Sequence, residues 1–140
     1  MTDAEVLAVL ALLNSYVADY LIRQTVSANL NMFYVYQLPV PRLSEQDPEF
    51  APIVERAARL VCTAPEFDRL ARGVGLKDHT EGTRDEAERA RLRAELDGLV
   101  ARLYGLDEEA FAHVLSTFPL VGCGAKEAAL GQFRRLASVL

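Results

Sequence analysis

The fold turns on the stretch Leu10-Ala-Leu-Leu-Asn14-Ser15-Tyr-Val-Ala-Asp19-Tyr-Leu-Ile-Arg23-Gln24-Thr-Val-Ser27-Ala-Asn29-Leu-Asn31-Met-Phe33-Tyr34-Val-Tyr36-Gln37-Leu38-Pro39-Val-Pro41. Its apolar residues first recur at helical spacing, which predicts one helix running to about Thr25. That helix frays near Ser27 and Asn29, whose side chains compete for backbone hydrogen bonds. Met32 to Leu38 is then rich in aromatic and β-branched residues, which predicts a short strand. Pro39 and Pro41 end any ladder, because neither donates an amide hydrogen. A single strand needs a partner from elsewhere, so this run supplies at most one short extended segment.

On the N-terminal side, Thr2-Asp-Ala-Glu5 is a capping-box pattern that opens the first helix. Val6, Leu7, Val9, Leu10, Leu12, Leu13, Tyr16, Val17, Tyr20 and Leu21 cover more than half of its wheel. A helix this apolar is normally buried against more than one neighbour. It leaves apolar surface bare unless the rest of the chain or a partner wraps it, which suggests that Met1 corresponds to an internal position of a longer ancestral protein.

On the C-terminal side the helical signals continue. Asp47-Pro48 reads as a cap followed by proline at the first helical position, and Phe50, Ile53, Val54, Ala57, Ala58 and Val61 place a helix at about 48–62. Thr63-Ala-Pro65-Glu66 opens a short third helix ending by Gly73 or Gly75, after which residues 77–82 form a polar loop. Thr83-Arg-Asp-Glu86 opens a fourth helix with Leu92, Leu96, Leu99, Val100 and Leu103 inward and Gly105 at its end. Asp107 caps a fifth, with Phe111, Val114, Leu115 and Phe118 inward, and Pro119 follows it. Gly122-Cys-Gly124 is a turn, and Ala125 to Leu140 forms a last helix with Leu130, Phe133, Leu136 and Ala137 inward. The expectation is a mainly α chain: one small helical domain over residues 1–140, with five or six helices and at most one short extended segment.

At 140 residues the chain is long enough to bury a real core, and 51% hydrophobic with 25% charged residues fits a globular protein. The formal net charge of -5 argues against a surface that grips phosphate throughout, since non-specific DNA affinity comes mainly from clustered Lys and Arg. Cys62 and Cys123 are two lone thiols without metal spacing. With no signal-peptide pattern and no apolar run near the ~20 residues that span a bilayer, a cytoplasmic protein with no membrane partner is expected.

The opening stretch resembles the tail of the target-recognition region in type IIG restriction-modification enzymes and related adenine-specific DNA methyltransferases. In that family a helix with a leucine-leucine-asparagine-serine, aspartate-tyrosine and arginine-glutamine pattern leads into leucine-asparagine-x-phenylalanine and glutamine-leucine-proline. Leu12, Leu13, Asn14, Ser15, Asp19, Tyr20, Arg23, Gln24, Leu30, Asn31, Phe33, Gln37, Leu38 and Pro39 carry it here. A looser version is similar to the specificity subunits of type I restriction systems. Further on, an Arg93-Ala-Glu95-Leu-Asp97 helix runs into Leu103-Tyr104-Gly105-Leu106, then Glu108 and Glu109, and closes on Phe118-Pro119; this resembles the C-terminal helical region of the same methyltransferases. The likeness covers most of residues 7–121. It divides the chain into the end of a recognition-like segment, 1–41, and a C-terminal helical region, 42–140.

The family's catalytic signatures are missing. No Asn-Pro-Pro-aromatic sequence is present to position a flipped adenine, and Gly73-Val-Gly75 lacks the strand that a cofactor-binding turn needs. No catalytic residue, metal ligand or cofactor is assigned. Arg23, Gln24, Ser27, Asn29, Asn31, Tyr34 and Gln37 are the DNA-contact candidates, because Arg pairs with guanine or phosphate through two donors and Asn or Gln with adenine through a donor and an acceptor. The same residue types also cap helices and complement helix dipoles. Arg84, Arg89, Arg91 and Arg93 alternate with acids, and the pairs Asp85/Arg89, Arg91/Glu95 and Arg93/Asp97 at i,i+4 spacing suggest a solvated salt-bridged face. His79 and His113 have no sequence-near carboxylate or thiol arranged for metal or proton transfer.

Two functional expectations follow. The resemblance implies a non-catalytic C-terminal piece of a DNA methyltransferase or restriction-modification system, supporting target recognition, binding DNA weakly alone and packing on a methyltransferase catalytic subunit. The acidic balance and broad apolar first helix suggest instead a helical protein-interaction module, a homo-oligomer through helix 1, that touches no nucleic acid.

Overall fold

The capping box forms as expected. Thr2 Oγ1 accepts the Glu5 amide at 3.2 Å while the Thr2 amide donates to Glu5 Oε2 at 2.7 Å, which opens α1 (Asp3–Leu13). In this computed structural model, which describes residues 1–26 and 29–137, seven further α-helices follow: α2 (Tyr16–Thr25), α3 (Met32–Gln37), α4 (Phe50–Val61), α5 (Asp68–Gly73), α6 (Glu86–Leu103), α7 (Glu108–Ser116) and α8 (Cys123–Ala137). Short 3-10 turns at Pro65–Phe67 and His79–Glu81 complete the order. The mainly α expectation holds, with more helices than the sequence suggested.

Two extra helices come from the opening stretch. The predicted first helix breaks at Asn14–Ser15, and α1 and α2 meet at a bend of 63°. Asn14 Nδ2 turns back onto the Leu10 carbonyl at 2.8 Å, and Ser15 adopts extended backbone and caps α2 by accepting the Ala18 amide at 3.2 Å. Side chains that satisfy backbone groups locally outcompete continued helix there.

The predicted strand at Met32–Leu38 is also corrected, since it is the helix α3. Among the described residues there is no second strand to pair with it, whereas helical bonds close locally. Asn31 supplies the start by accepting the Tyr34 amide at 3.4 Å.

The later boundaries shift by a residue or two for similar reasons. Asp47 caps nothing helical; its carboxylate takes the Ser44 amide at 2.6 Å, and α4 starts at Phe50. Thr63 caps no helix either: the cap position is Ala64, with Pro65 next. Asp85, not Thr83, caps α6 through the Glu88 amide at 2.9 Å. Asp107 caps α7 as expected, at 2.8 Å from the Ala110 amide. After α6, Gly105 takes φ +73 and the Leu106 amide returns to the Ala101 carbonyl, the left-handed exit that glycine provides without strain. The expected continuation of α8 to Leu140, and the Ala137 side chain, lie outside the described residues.

Two apolar clusters meet along α6. Leu7, Ala8 and Ala11 of α1 pack on Phe50, Ile53, Val54, Ala57 and Ala58 of α4, with Ala71, Leu76 and Leu99. Val17 of α2 packs with Ala101, Phe111, Val114, Leu115, Phe118, Ala129 and Phe133, so α6 contributes to both clusters. Full burial of each large side chain contributes roughly 1.5–3 kcal/mol. Close approach of α6 and α8 depends on Gly98, where an added Cβ would lie 2.9 Å from the Phe133 amide nitrogen.

Candidate functional site

α1 has two apolar faces, and among the described residues its own chain covers only one. Leu7, Ala8, Ala11 and Leu12 are buried, while Val6, Val9, Leu10 and Leu13 remain 37 to 47% exposed. The exposed set falls at i, i+3, i+4 and i+7, one continuous stripe on the side of the helix opposite its buried residues. No single described helix is long and apolar enough to cross a membrane; α1 and α2 together reach the length but are sharply bent.

The stripe runs into a groove at its C-terminal end. This opening of about 460 Å³ lies between α1, α4 and α6, and its walls include Leu10, Ala11, Leu60, Val61 and Leu96 with Arg89, Arg93 and Asp97. At its floor the Asp97 carboxylate accepts the Tyr16 amide at 2.9 Å, so a residue in the middle of α6 satisfies the first free donor of α2. Burial pushes the Asp97 carboxyl up to about 7, against the Tyr16 hydrogen bond, which favours the ionised form. Burial first, and then the Asp97 charge, raise the Tyr16 phenol, with Arg93 opposing.

The arginines around the groove are not the uniform solvated face expected. Arg91 does bridge Glu88 and Glu95. Arg89 instead donates to the Leu60 and Thr83 carbonyls at 3.0 and 2.7 Å, and Arg84 Nε donates to Thr63 O at 2.9 Å, tying the start of α6 to the end of α4. Arg93 lies 3.9 Å from Glu86, an exposed and loose pair, and the expected Arg93/Asp97 and Asp85/Arg89 pairs are not among the ion pairs of the described residues.

The DNA-contact candidates divide into three groups. Arg23 sits over the Phe118 ring at 4.1 Å, pairs with Asp19 at 3.3 Å and donates to Thr117 at 3.4 Å, joining α2 to the end of α7. Gln24 donates to the Tyr20 carbonyl at 3.2 Å, and Asn31 caps α3. Asn29 and Gln37 are exposed, and the Tyr34 ring stands edge-on to Phe33 at 5.7 Å. Ser27 lies outside the described residues.

α3 itself buries no side chain: Phe33 is 64% and Tyr36 80% exposed, with Leu30 and Met32 also outward. The Tyr104 hydroxyl donates to the Pro39 carbonyl at 2.9 Å and holds the segment's end to the body.

Sequence reasoning missed two arrangements. His79 has a carboxylate after all, since Asp68 Oδ1 is 2.6 Å from its Nδ1 and also accepts its backbone amide at 2.8 Å. Those bonds hold the Asp68 carboxyl below its ordinary range, the backbone bond most strongly. The second is Asp97, whose i,i+4 spacing from Arg93 suggested a surface pair; only its contact with Tyr16, distant in sequence, reveals its place. Among the described residues no group of three or more His, Cys, Asp or Glu could hold a metal ion. Comparison with protein-family models, curated proteins and solved structures gives no match.

Proposed function

We propose that this chain is a non-catalytic helical module that works by packing on another protein through the outer face of α1. The observation that carries the reading is the stripe Val6, Val9, Leu10 and Leu13, continuous with the groove beside Leu10. Four large apolar side chains in register on one surface helix mark an interaction site, where scattered single ones would not. The net charge of -5 supports a protein partner over phosphate.

A photo-crosslinking side chain placed at Val9, in cells that produce the chain, tests this. A discrete crosslinked protein product that a Leu13→Glu change abolishes is the expected result. No product at position 9, with full folding, overturns the reading.

A second reading keeps the restriction-modification resemblance: a piece that supports DNA target recognition beside a methyltransferase catalytic subunit. The outward Phe33 and Tyr36 next to Asn29 and Gln37 favour it, because exposed aromatic rings with amide neighbours can stack on and pair with unstacked bases. Anisotropy of labelled duplex and single-stranded DNA at about 50 and 200 mM salt separates the two readings. Salt-sensitive binding lost on Phe33→Ala with Tyr36→Ala would make DNA the partner.

A further inference from the structure

We infer that the occupant of the α1 face is a second copy of this chain, its α1 packed antiparallel against the first across a two-fold axis near Val9. This rests on the protein-interaction reading above and names the partner. Three features of the same surface support it.

The first is the spacing. Val6, Val9, Leu10 and Leu13 form one seam along α1, the pattern by which two helices interleave side chains at a shallow crossing angle. The second is the distribution of charge along that seam. Its N-terminal end carries the exposed Asp3, whose carboxylate lies beside Gly73 of α5, and its C-terminal end opens on the groove walled by Arg93, by Arg89, which is bonded to the Leu60 and Thr83 carbonyls, and by Asp97. An antiparallel two-fold pairing places the Asp3 of each copy by the Arg93 of the other, whereas a parallel pairing sets like charges together. Arg93 is suited to the contact, because its Glu86 neighbour is exposed and 3.9 Å away. The third is the pairing of helix ends: antiparallel α1 helices put the partially positive amino end of each beside the partially negative carboxyl end of the other.

The face is small. It consists of one stripe of four side chains, against the roughly 20 to 30 residues per side of a standard stable interface. The pairing is expected to be a concentration-dependent one.

Sedimentation equilibrium of the full chain from about 1 to 200 µM provides the test. The expected result is a reversible monomer–dimer system that Val9→Glu converts to monomer at every concentration, with unchanged circular dichroism. Arg93→Glu weakens the dimer about fivefold or more, and adding Asp3→Arg restores it. Because Asp3 lies in the first turn of α1, the helix content of each variant is measured alongside. A monomer at all concentrations overturns the proposal, as does a dimer indifferent to Val9→Glu; failure of the double charge reversal to restore pairing overturns the antiparallel arrangement. A monomer that still crosslinks at Val9 to a different protein defeats this inference and leaves the interaction reading standing. A monomer with no crosslink defeats both.

Discussion

Asp97 and Tyr16, 81 residues apart, are joined by a 2.9 Å hydrogen bond from the Tyr16 backbone amide to the Asp97 carboxylate. The bond fixes α6 to the bend between α1 and α2, beside the groove that the apolar stripe of α1 runs into. Because the stripe and the groove share Leu10, the orientation of α2 and the shape of the groove are coupled through this one carboxylate.

The coupling has a pH signature. Asp97 titrates near 7 in the folded chain, above the ordinary value for Asp of about 4 that applies when the chain is unfolded. A group whose folded value is raised holds its proton longer in the native state, so its contribution to stability is present at pH 4 and is lost as pH rises to 7. Asp97→Asn keeps an acceptor for Tyr16 and removes the titration. The variant should match the parent near pH 4 and exceed it at pH 8 by roughly 1 to 4 kcal/mol in urea unfolding. A difference that does not change with pH would refute the assignment.

Gly98→Ala should destabilise by about 1–3 kcal/mol, although alanine is the better helix former by about 1 kcal/mol. The added methyl would sit 2.9 Å from the Phe133 amide nitrogen on α8, where backbone has to move. A thermal melt that rises instead would show that α6 and α8 pack less closely.

The two faces of α1 should respond differently to truncation. Leu12→Ala, on the buried face, should cost about 2–5 kcal/mol, while Val9→Ser on the stripe should stay within about 0.5 kcal/mol for the dilute monomer. Equal costs would mean that the stripe belongs to the core.

Arg23→Ala should lower stability by roughly 0.5–1.5 kcal/mol through loss of the Phe118 ring contact and the Thr117 bonds. Any DNA-binding loss in this variant has to be read against its melting curve. Arg23→Lys, which keeps the charge but not the fork geometry, separates the two effects.

The thiols should differ sharply. Cys62 is fully buried and burial raises its pKa, while Cys123 is exposed. An aromatic disulfide reagent should titrate one thiol quickly and the second only on unfolding. Two fast thiols would mean that α4 opens at its C-terminus.

Much of the architecture could be read from periodicity, because one-sided helices advertise their buried face. Phe111, Val114, Leu115 and Phe118 were all expected inward and all are buried, as are Phe50, Ile53, Val54, Ala57 and Ala58. What failed depended on competition between local and distant partners. Met32–Leu38 has strand composition but no strand to pair with, and Ser15, half of a motif read for its likeness to a family, acts as a helix cap. The candidate site was visible only in part. Excess apolar surface on the first helix was legible as more residues than one face can hold, but the groove depends on Asp97 and Arg93 from 80 or so residues later in the chain, and no local pattern pairs them with Leu10.

The double-faced character of α1 bears on synthesis as well as on assembly. The inner face of α1, residues 3–13, packs on α4, and that partner is complete only at residue 61. Until then the nascent segment is a sticky amphiphile twice over, and afterwards it is still one on its outer side. Under the pairing proposed above, neighbouring nascent chains on one messenger would meet through that outer side at high local concentration.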